Sequence, residues 1–211
     1  MRGLVYKSTG SWYSVKSDNG VTYNCKIKGK LRLENINSTN PVVVGDLVEF
    51  SVEDHDQQEI GIIQKIHQRR NYILRKSVNL SKQTHILASN IDLLLLVITL
   101  RNPITTTSFI DRFLVSAEAY SIKTLLIINK CDIHEEKDQI LLNTLVNVYN
   151  NIGYEIIKTS ANSGLGIKEL EKKIINKTIM LGGHSGVGKT SLINAIDGSL
   201  NLKVGNISDQ H

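Results

Sequence analysis

The sequence predicts two domains, an all-β domain followed by an α/β domain built on a parallel sheet. Residues 1 to about 67 contain short stretches that alternate apolar and polar side chains, without helical periodicity. From residue 91 onward, continuous apolar runs alternate with amphipathic helical stretches. Close to the end, a short apolar run leads into the glycine-rich segment LGGHSGVGKTS. The 211 residues, 41% of them hydrophobic, are enough for two cores.

The first domain is predicted from about five short strands that turn residues separate. Residues 21–28, VTYNCKIK, alternate apolar and polar at period two, and we expect further strands in residues 4–7, 12–15, 42–44, 47–52 and 60–66. Asn19 and Gly20 predict a hairpin with a type I′ turn, because this pair accepts positive φ angles. Strands without intervening helices and with basic outward faces favour an OB-type barrel. A small sandwich or an SH3-like barrel would give a similar pattern.

The positive charge of the chain is concentrated in its first third. The net charge is +5, and residues 1–76 carry 12 Lys/Arg against 8 Asp/Glu. We predict an OB-type barrel in residues 1–68, a basic linker in 69–84 and an α/β domain in 85–211. A basic surface can contact a phosphate backbone, although an ordinary solvated surface has the same composition. The candidates for RNA contact are Lys26, Lys28, Lys30, Arg32, Arg69 and Arg70.

Several classes of protein are disfavoured. The sequence has no apolar run of roughly 18 residues and no signal-peptide core, so we expect a cytosolic protein without a membrane span. Cys25 and Cys131 fall in different predicted domains, which argues against a disulfide framework or a Cys-rich zinc site. The histidines outside the glycine-rich segment show no metal-ligand spacing: His55, His67, His85, His134 and His211.

The second domain is predicted as a doubly wound α/β fold. Its strands are expected in residues 91–100, 124–128, 154–158 and 178–181, and its helices run through residues 109–117, 140–148 and 167–175. The apolar strands are long enough to be covered on both faces, as in a parallel sheet. Ligands of such folds bind beyond the carboxyl ends of the strands.

The glycine-rich segment has the spacing G-x-x-x-x-G-K-T, which is typical of a phosphate-binding loop. Its glycines allow backbone N–H groups to turn inward at the start of a helix, where the helix dipole also favours an anion. Lys189 would reach the β- and γ-phosphates, and the Thr190 hydroxyl would bind Mg²⁺. An ordinary glycine turn before a helix is the alternative.

Two further segments follow predicted strands. Asn129, Lys130, Cys131 and Asp132 come after the strand in residues 124–128. The carboxylate of Asp132 would accept the ring N–H and the amine of guanine, Lys130 would lie along the base, and Asn129 would tie this loop to the phosphate loop. Helix capping by the aspartate is the alternative reading of this segment. In the second segment, Thr159-Ser160-Ala161, the Ala161 N–H would face the guanine oxygen, and simple turn capping is the alternative.

Together these three segments resemble the base-reading and phosphate-binding motifs of P-loop GTPases, in inverted order. With the N-terminal barrel and the stretches HILASNIDLLLLVIT and IDRFLVSAE, the chain resembles the circularly permuted RsgA (YjeQ) family of ribosome small-subunit-dependent GTPases. The resemblance implies an OB domain on ribosomal RNA of the small subunit. It also implies a protein that binds GTP or GDP with Mg²⁺ and hydrolyses GTP late in subunit assembly. We expect a monomer. The residues expected to bind nucleotide are Asn129, Lys130, Asp132, Ser160, Ala161, Gly183, His184, Ser185, Gly186, Val187, Gly188, Lys189, Thr190 and Ser191.

The sequence also departs from that family. The family continues with a first switch, a D-x-x-G segment and a C-terminal zinc domain, whereas this sequence ends at His211. We therefore expect a truncated form with negligible GTP hydrolysis, an unpaired edge at residues 178–181 and no zinc. No catalytic residue is assigned, and His184 is expected to point at solvent. A non-hydrolysing RNA-binding module with a vestigial guanine-nucleotide site is the alternative function, while Asp132 disfavours an adenine-nucleotide kinase.

Overall fold

The computed structural model describes residues 1–29, 41–55, 58–76 and 84–204. The chain forms two compact units that divide between Ile91 and Asp92. The first contains a β-barrel, and the second contains a parallel sheet with helices. Within the described residues, no helix is long and apolar enough to cross a membrane.

The barrel has five strands: β1 (Arg2–Thr9), β2 (Trp12–Ser17), β3 (Thr22–Ile27), β4 (Leu47–His55) and β5 (Gln58–Ile66). It closes in the order β1-β2-β3-β5-β4, with β4 pairing back to β1. All pairs are antiparallel except β3 with β5. This closed five-stranded arrangement confirms the OB-type barrel and leaves no open sheet edge in it.

The period-two alternation of the strands produces the barrel core. Cys25 is fully buried between half-buried Tyr23 and Ile27, while Lys26 points outward. The buried core residues are Val5, Tyr13, Val15, Cys25, Val42, Val48, Phe50 and Ile63. Burial raises the pKa of the Cys25 thiol to about 12, so this free cysteine stays protonated.

Two details of the predicted barrel are wrong. Residues 42–44 form no strand, and Val44 makes only an isolated bridge to Ala88. The hairpin between β2 and β3 forms, but only Gly20 has a positive φ, of 87°. The Gly20 N–H bonds to the Ser17 carbonyl at 2.9 Å, as in a β-turn that a left-handed glycine completes. The type I′ turn needs two left-handed residues and is therefore absent here.

A hairpin occupies the segment predicted as a basic linker. Strands β6 (Tyr72–Lys76) and β7 (Thr84–Ser89) pair antiparallel, and the first unit extends to Ile91. Segment 77–83, and the RNA-contact candidates Lys30 and Arg32, lie outside the described residues.

The hairpin is anchored on Asp46, whose side chain is fully buried. The carboxylate accepts from Arg69 Nε and Nη2 at 2.7 Å each, from the Ser89 hydroxyl at 2.6 Å and from the Val43 N–H at 2.9 Å. The Arg69 side chain is only 19% exposed. Arg69 therefore serves this ion pair, which corrects its assignment as an RNA contact.

The second unit alternates strands and helices in chain order. They are β8 (Leu93–Ile98), α1 (Thr107–Ala119), β9 (Thr124–Ile128), α2 (Asp138–Asn151), β10 (Glu155–Lys158), α3 (Ile167–Ile174), β11 (Ile179–Gly182) and α4 (Lys189–Ile196). The sheet is parallel, in the order β10-β9-β8-β11. Helices α1 and α2 cover one face, and α3 and α4 cover the other. Every residue of β8 and β9 is buried, which explains their continuous apolar sequences.

Strand β11 lies at the side of the sheet. Among the described residues it pairs with β8 alone, and Ile179, Met180 and Leu181 are half-buried. Residues 205–211 lie outside the described part of the chain. The phosphate-binding motif begins where β11 ends, so this strand sets its position.

Candidate nucleotide site

The three predicted motif segments meet at one edge of the sheet. They follow β9, β10 and β11, whose carboxyl ends share this edge because the strands are parallel. The Asn129 amide donates to the Val187 carbonyl at 2.9 Å, which joins the segment after β9 to the glycine-rich loop after β11. The structure thus brings together segments that lie 58 residues apart in the chain.

The glycine-rich loop turns sharply between β11 and α4. Gly183 has a φ of 136° and Gly188 a φ of 91°, in the left-handed region that favours glycine. A Cβ on Gly183 would lie 2.3 Å from the Val97 carbonyl oxygen, and one on Gly188 would lie 2.5 Å from Asn129 Nδ2. The Val187 side chain is fully buried in the core and anchors the loop. No other residue type fits the two glycine positions without displacement of the loop.

Lys189 begins α4 and folds back over the loop. Its ammonium group donates to the carbonyl oxygens of Gly183, at 2.9 Å, and His184, at 2.6 Å. An ammonium group has three N–H donors, so these two bonds direct it into the loop and leave the third for a phosphate oxygen. Burial lowers the pKa of Lys189 from its ordinary value because desolvation disfavours the charged ammonium, and a bound anion would offset that cost.

The other predicted phosphate-side residues occupy the loop and the first turn of α4. Thr190 and Ser191 are half-buried in that turn, whereas Ser185 is exposed in the loop. In the described part of the chain, no group of three His, Cys, Asp or Glu residues could hold a metal ion. A hydroxyl next to a phosphate cradle suits Mg²⁺, which takes its remaining ligands from phosphate oxygens and water.

Asn129 forms the predicted tie between the two loops and is almost completely buried. Besides its bond to Val187, its carbonyl oxygen accepts from the Thr159 hydroxyl at 3.0 Å. The Cys131 N–H donates to the Thr159 carbonyl at 3.1 Å. The ends of β9, β10 and β11 are therefore linked by direct hydrogen bonds.

Asp132 lies exposed on a short 3-10 turn, Cys131–Ile133. The Ser160 hydroxyl contributes most to lowering the pKa of Asp132, and the Asn162 amide lowers it further by donating at 3.3 Å. The carboxylate is therefore ionised at neutral pH and held by two donors. The Ser160 hydroxyl thus acts on Asp132, and its predicted contact with the base stays a prediction. The contact of Asn162 with Asp132 was not predicted. The sequence gives no indication of it except that Asn162 directly follows Ala161, which is half-buried.

Lys130 adopts the left-handed conformation, with a φ of 61°. Its ammonium group donates to the Asn102 carbonyl, in the loop that follows β8. Arg101 pairs in turn with Glu135 and, at 2.7 Å, with Asp138. Burial lowers the pKa of Lys130. Nothing in the motif spacing indicated that the loop after β8 would hold this lysine.

His184 does not project freely into solvent as expected. Its ring is half-buried and stacks on Phe109 of α1, with ring centroids 3.6 Å apart and an interplanar angle of 29°. This packing corrects the predicted orientation, which rested only on its place in a variable loop.

Comparison with known proteins decides the family. The model of the RsgA GTPase family matches residues 66–211, and the model of the RsgA N-terminal domain matches residues 2–63. The chain belongs to the RsgA GTPase family.

Named relatives match the chain along its whole length. The small ribosomal subunit biogenesis GTPase RsgA of Christiangramia forsetii is 54% identical over 211 residues, which are 100% of this chain and 67% of that protein. The RsgA protein of Flavobacterium psychrophilum is 51% identical and is covered to 64% of its length. The chain thus spans about two thirds of the length of these relatives.

Solved structures of similar proteins show the same fold as this chain. YjeQ from Thermotoga maritima superposes with a TM-score of 0.79 at 34% identity, covering 97% of this chain and 67% of that one. YloQ, a circularly permuted GTPase, has a TM-score of 0.70 at 27% identity, with coverage of 94% and 64%. The base-reading motif precedes the phosphate-binding motif in this chain because the chain has the circularly permuted GTPase fold.

Proposed function

We propose that the chain binds guanine nucleotides and, as part of an RsgA GTPase, hydrolyses GTP during biogenesis of the small ribosomal subunit. The hydrogen bond from Asn129 to Val187 carries this proposal, because it sets the base-reading loop against the phosphate loop. The names of the relatives, small ribosomal subunit biogenesis GTPases, support the pathway. We further propose that the protein works in the cytoplasm, where bacterial ribosomes assemble, as a monomer.

In the proposed site, Asp132 accepts the ring N–H and the amine of guanine, and the Ala161 N–H faces the guanine oxygen. Adenine lacks this pair of donors, so the two groups that fix Asp132, the buried Ser160 hydroxyl and the exposed Asn162 amide, also set the specificity. Lys130 borders the base, and Ser160 acts through Asp132.

The phosphates lie on the loop of residues 183–188, where backbone N–H groups and the α4 dipole favour negative charge. Lys189 contacts the β- and γ-phosphates with its third donor, and Thr190 holds Mg²⁺. The ion, when bound, neutralises charge on the β- and γ-phosphate oxygens. Water attacks the γ-phosphorus and the β–γ phosphoanhydride bond breaks. We assign no residue of this chain to the activation of that water.

We propose the outer face of β1, β2 and β3 as the surface that contacts ribosomal RNA. Lys26 Nζ lies 4.4 Å from the centroid of the Trp12 ring, which is 41% exposed. Lys16 lies 5.8 Å from the ring of Tyr6, which is 57% exposed. Exposed rings beside lysines can stack unpaired bases while the ammonium groups contact phosphate.

Competition between nucleotides tests the base site. Unlabelled GDP should compete with labelled GDP much better than XDP does, and ADP should not compete measurably. Asp132→Asn should weaken GDP and favour XDP, whose edge offers an acceptor where guanine offers a donor. Asp18→Asn, an exposed change on the barrel, is the matched control. Equal competition by ADP and GDP would contradict the proposal.

Phosphate release separates a GTPase from the alternative, a binding module with a vestigial site. The assay uses this chain as part of a full-length RsgA GTPase, because the chain by itself is expected to hydrolyse GTP negligibly. Repeated turnover with small subunits supports hydrolysis, whereas saturation after one equivalent supports the binding module.

Binding to small ribosomal subunits at several salt concentrations tests the RNA surface. Trp12→Ala should weaken binding about equally at all salt concentrations, because it removes stacking. Lys26→Glu should weaken binding and flatten its salt dependence, since a phosphate contact is lost. Lys172→Glu, exposed on α3, makes the same charge change as a control. If both barrel variants bind as well as the wild type, this face is ordinary solvated surface and the proposed RNA contact is wrong.

A further inference from the structure

Helix α1 contacts the phosphate loop and the end of β11 through two aromatic side chains. Phe109 stacks on His184 at a centroid separation of 3.6 Å, and Phe113 packs so close to Gly182 that a Cβ there would lie 2.6 Å from its ring. The two rings also contact each other, with centroids 5.2 Å apart. Neither phenylalanine belongs to a nucleotide-binding motif, so these contacts need another explanation.

His184 contributes its backbone carbonyl to the phosphate site. That oxygen accepts from Lys189 Nζ at 2.6 Å, the shorter of the two bonds that aim the ammonium group. Gly183 directly precedes His184 and Gly186 follows Ser185, and glycine backbone restrains neighbouring peptides weakly. The stacked imidazole ring is thus a side-chain anchor for a carbonyl that the loop backbone alone holds loosely.

Phe109 itself is held rigidly by its own helix. The Thr106 side chain caps α1 by accepting from the Phe109 N–H, and Ile110 and Leu114 are buried in the core. A contact with α1 therefore connects the phosphate loop to the packed core of the sheet.

We propose that Phe109 is a positioning residue for the phosphate site, which rests on the proposed binding of guanine nucleotides. Its stack with His184 holds the His184 carbonyl, and that carbonyl directs Lys189 toward the β-phosphate. The stack therefore contributes to affinity for nucleotides that carry a β-phosphate, and not to affinity for GMP.

The test compares GDP with GMP in the Phe109→Leu variant, by competition against labelled GDP. Loss of an aromatic stack should weaken GDP roughly threefold to tenfold and leave GMP within about twofold, so the GDP/GMP affinity ratio falls. Phe109→Tyr keeps the ring and should keep the ratio. Val115→Ala is the control for changes in the helix, because Val115 of α1 is 69% exposed.

A double-mutant cycle identifies the partner. His184→Ala should lower the same ratio, and adding Phe109→Leu to it should have no further effect, because both remove one contact. An equal loss of GDP and GMP affinity, or an unchanged ratio, overturns the role of Phe109 in a chain that still binds GDP. A wild-type chain that binds no GDP overturns the proposed function as well.

Discussion

Replacement of Asn129 by alanine is expected to destabilise the second unit and to weaken GDP binding together. The side chain makes two hydrogen bonds, to the Val187 carbonyl at 2.9 Å and from the Thr159 hydroxyl at 3.0 Å. Both partners belong to other loops of the site. The change therefore removes the link between the base-reading and phosphate loops, while the other residues predicted to bind nucleotide stay unchanged.

The magnitude follows from burial. Asn129 is 1% exposed and Thr159 is fully buried, so water cannot replace the lost partners easily. Each buried group left without a partner costs about 1–3 kcal/mol, which gives about 2–6 kcal/mol for the two bonds. For a domain of this size, the thermal midpoint should fall by roughly 8 °C or more. GDP should bind at least about tenfold more weakly, because the two loops lose their common anchor.

Scanning calorimetry and GDP titration measure both effects on the same samples. Asn129→Asp separates the lost donor from the lost volume: it still accepts from Thr159 but places a carboxylate against the Val187 carbonyl. We expect it to be at least as harmful as alanine. Asn143→Ala, exposed on α2, should change stability by less than about 0.5 kcal/mol. The reasoning is refuted if Asn129→Ala unfolds within about 2 °C of wild type and binds GDP normally.

Three further predictions concern other contacts. Gly188→Ala should abolish measurable GDP binding in titration calorimetry, because its Cβ would lie 2.5 Å from Asn129 Nδ2 at a φ of 91°. Asn162→Ala should lower the GDP/IDP affinity ratio roughly twofold to fivefold, since IDP lacks the amine that Asp132 accepts; an unchanged ratio would contradict this. Asp46→Asn should destabilise the first unit by about 3 kcal/mol or more in thermal unfolding without changing GDP affinity, because it breaks a buried ion pair.

Local pattern was enough to predict most of the architecture. The strands β8 and β9 are buried on both faces, and a strand in that position must be apolar throughout. The alternation in β3 likewise follows from a barrel wall with one face inward. Periodicity failed where a segment has little of it, as in the β6–β7 hairpin.

The helix α2 shows the limit of periodicity within a correctly predicted element. The sequence places apolar side chains around most of this helix, and Ile140 is 79% exposed and Val148 50% exposed. The buried side is formed by Leu142, Leu145 and Tyr149. A helix whose one charged residue, Asp138, lies in its first turn does not indicate which of its faces meets the sheet, so only the packing decides it.

The sequence by itself determined where the phosphate loop and the base-reading segment lie, because glycine spacing and a carboxylate after a strand are local requirements of that chemistry. Tertiary structure alone decided which residues support them. Phe109 on His184, Asn162 on Asp132 and the Asn102 carbonyl on Lys130 join parts of the chain that are distant in sequence. Such contacts depend on how helices and loops pack on the sheet, and packing involves many residues at once, so no short spacing of residue types encodes it.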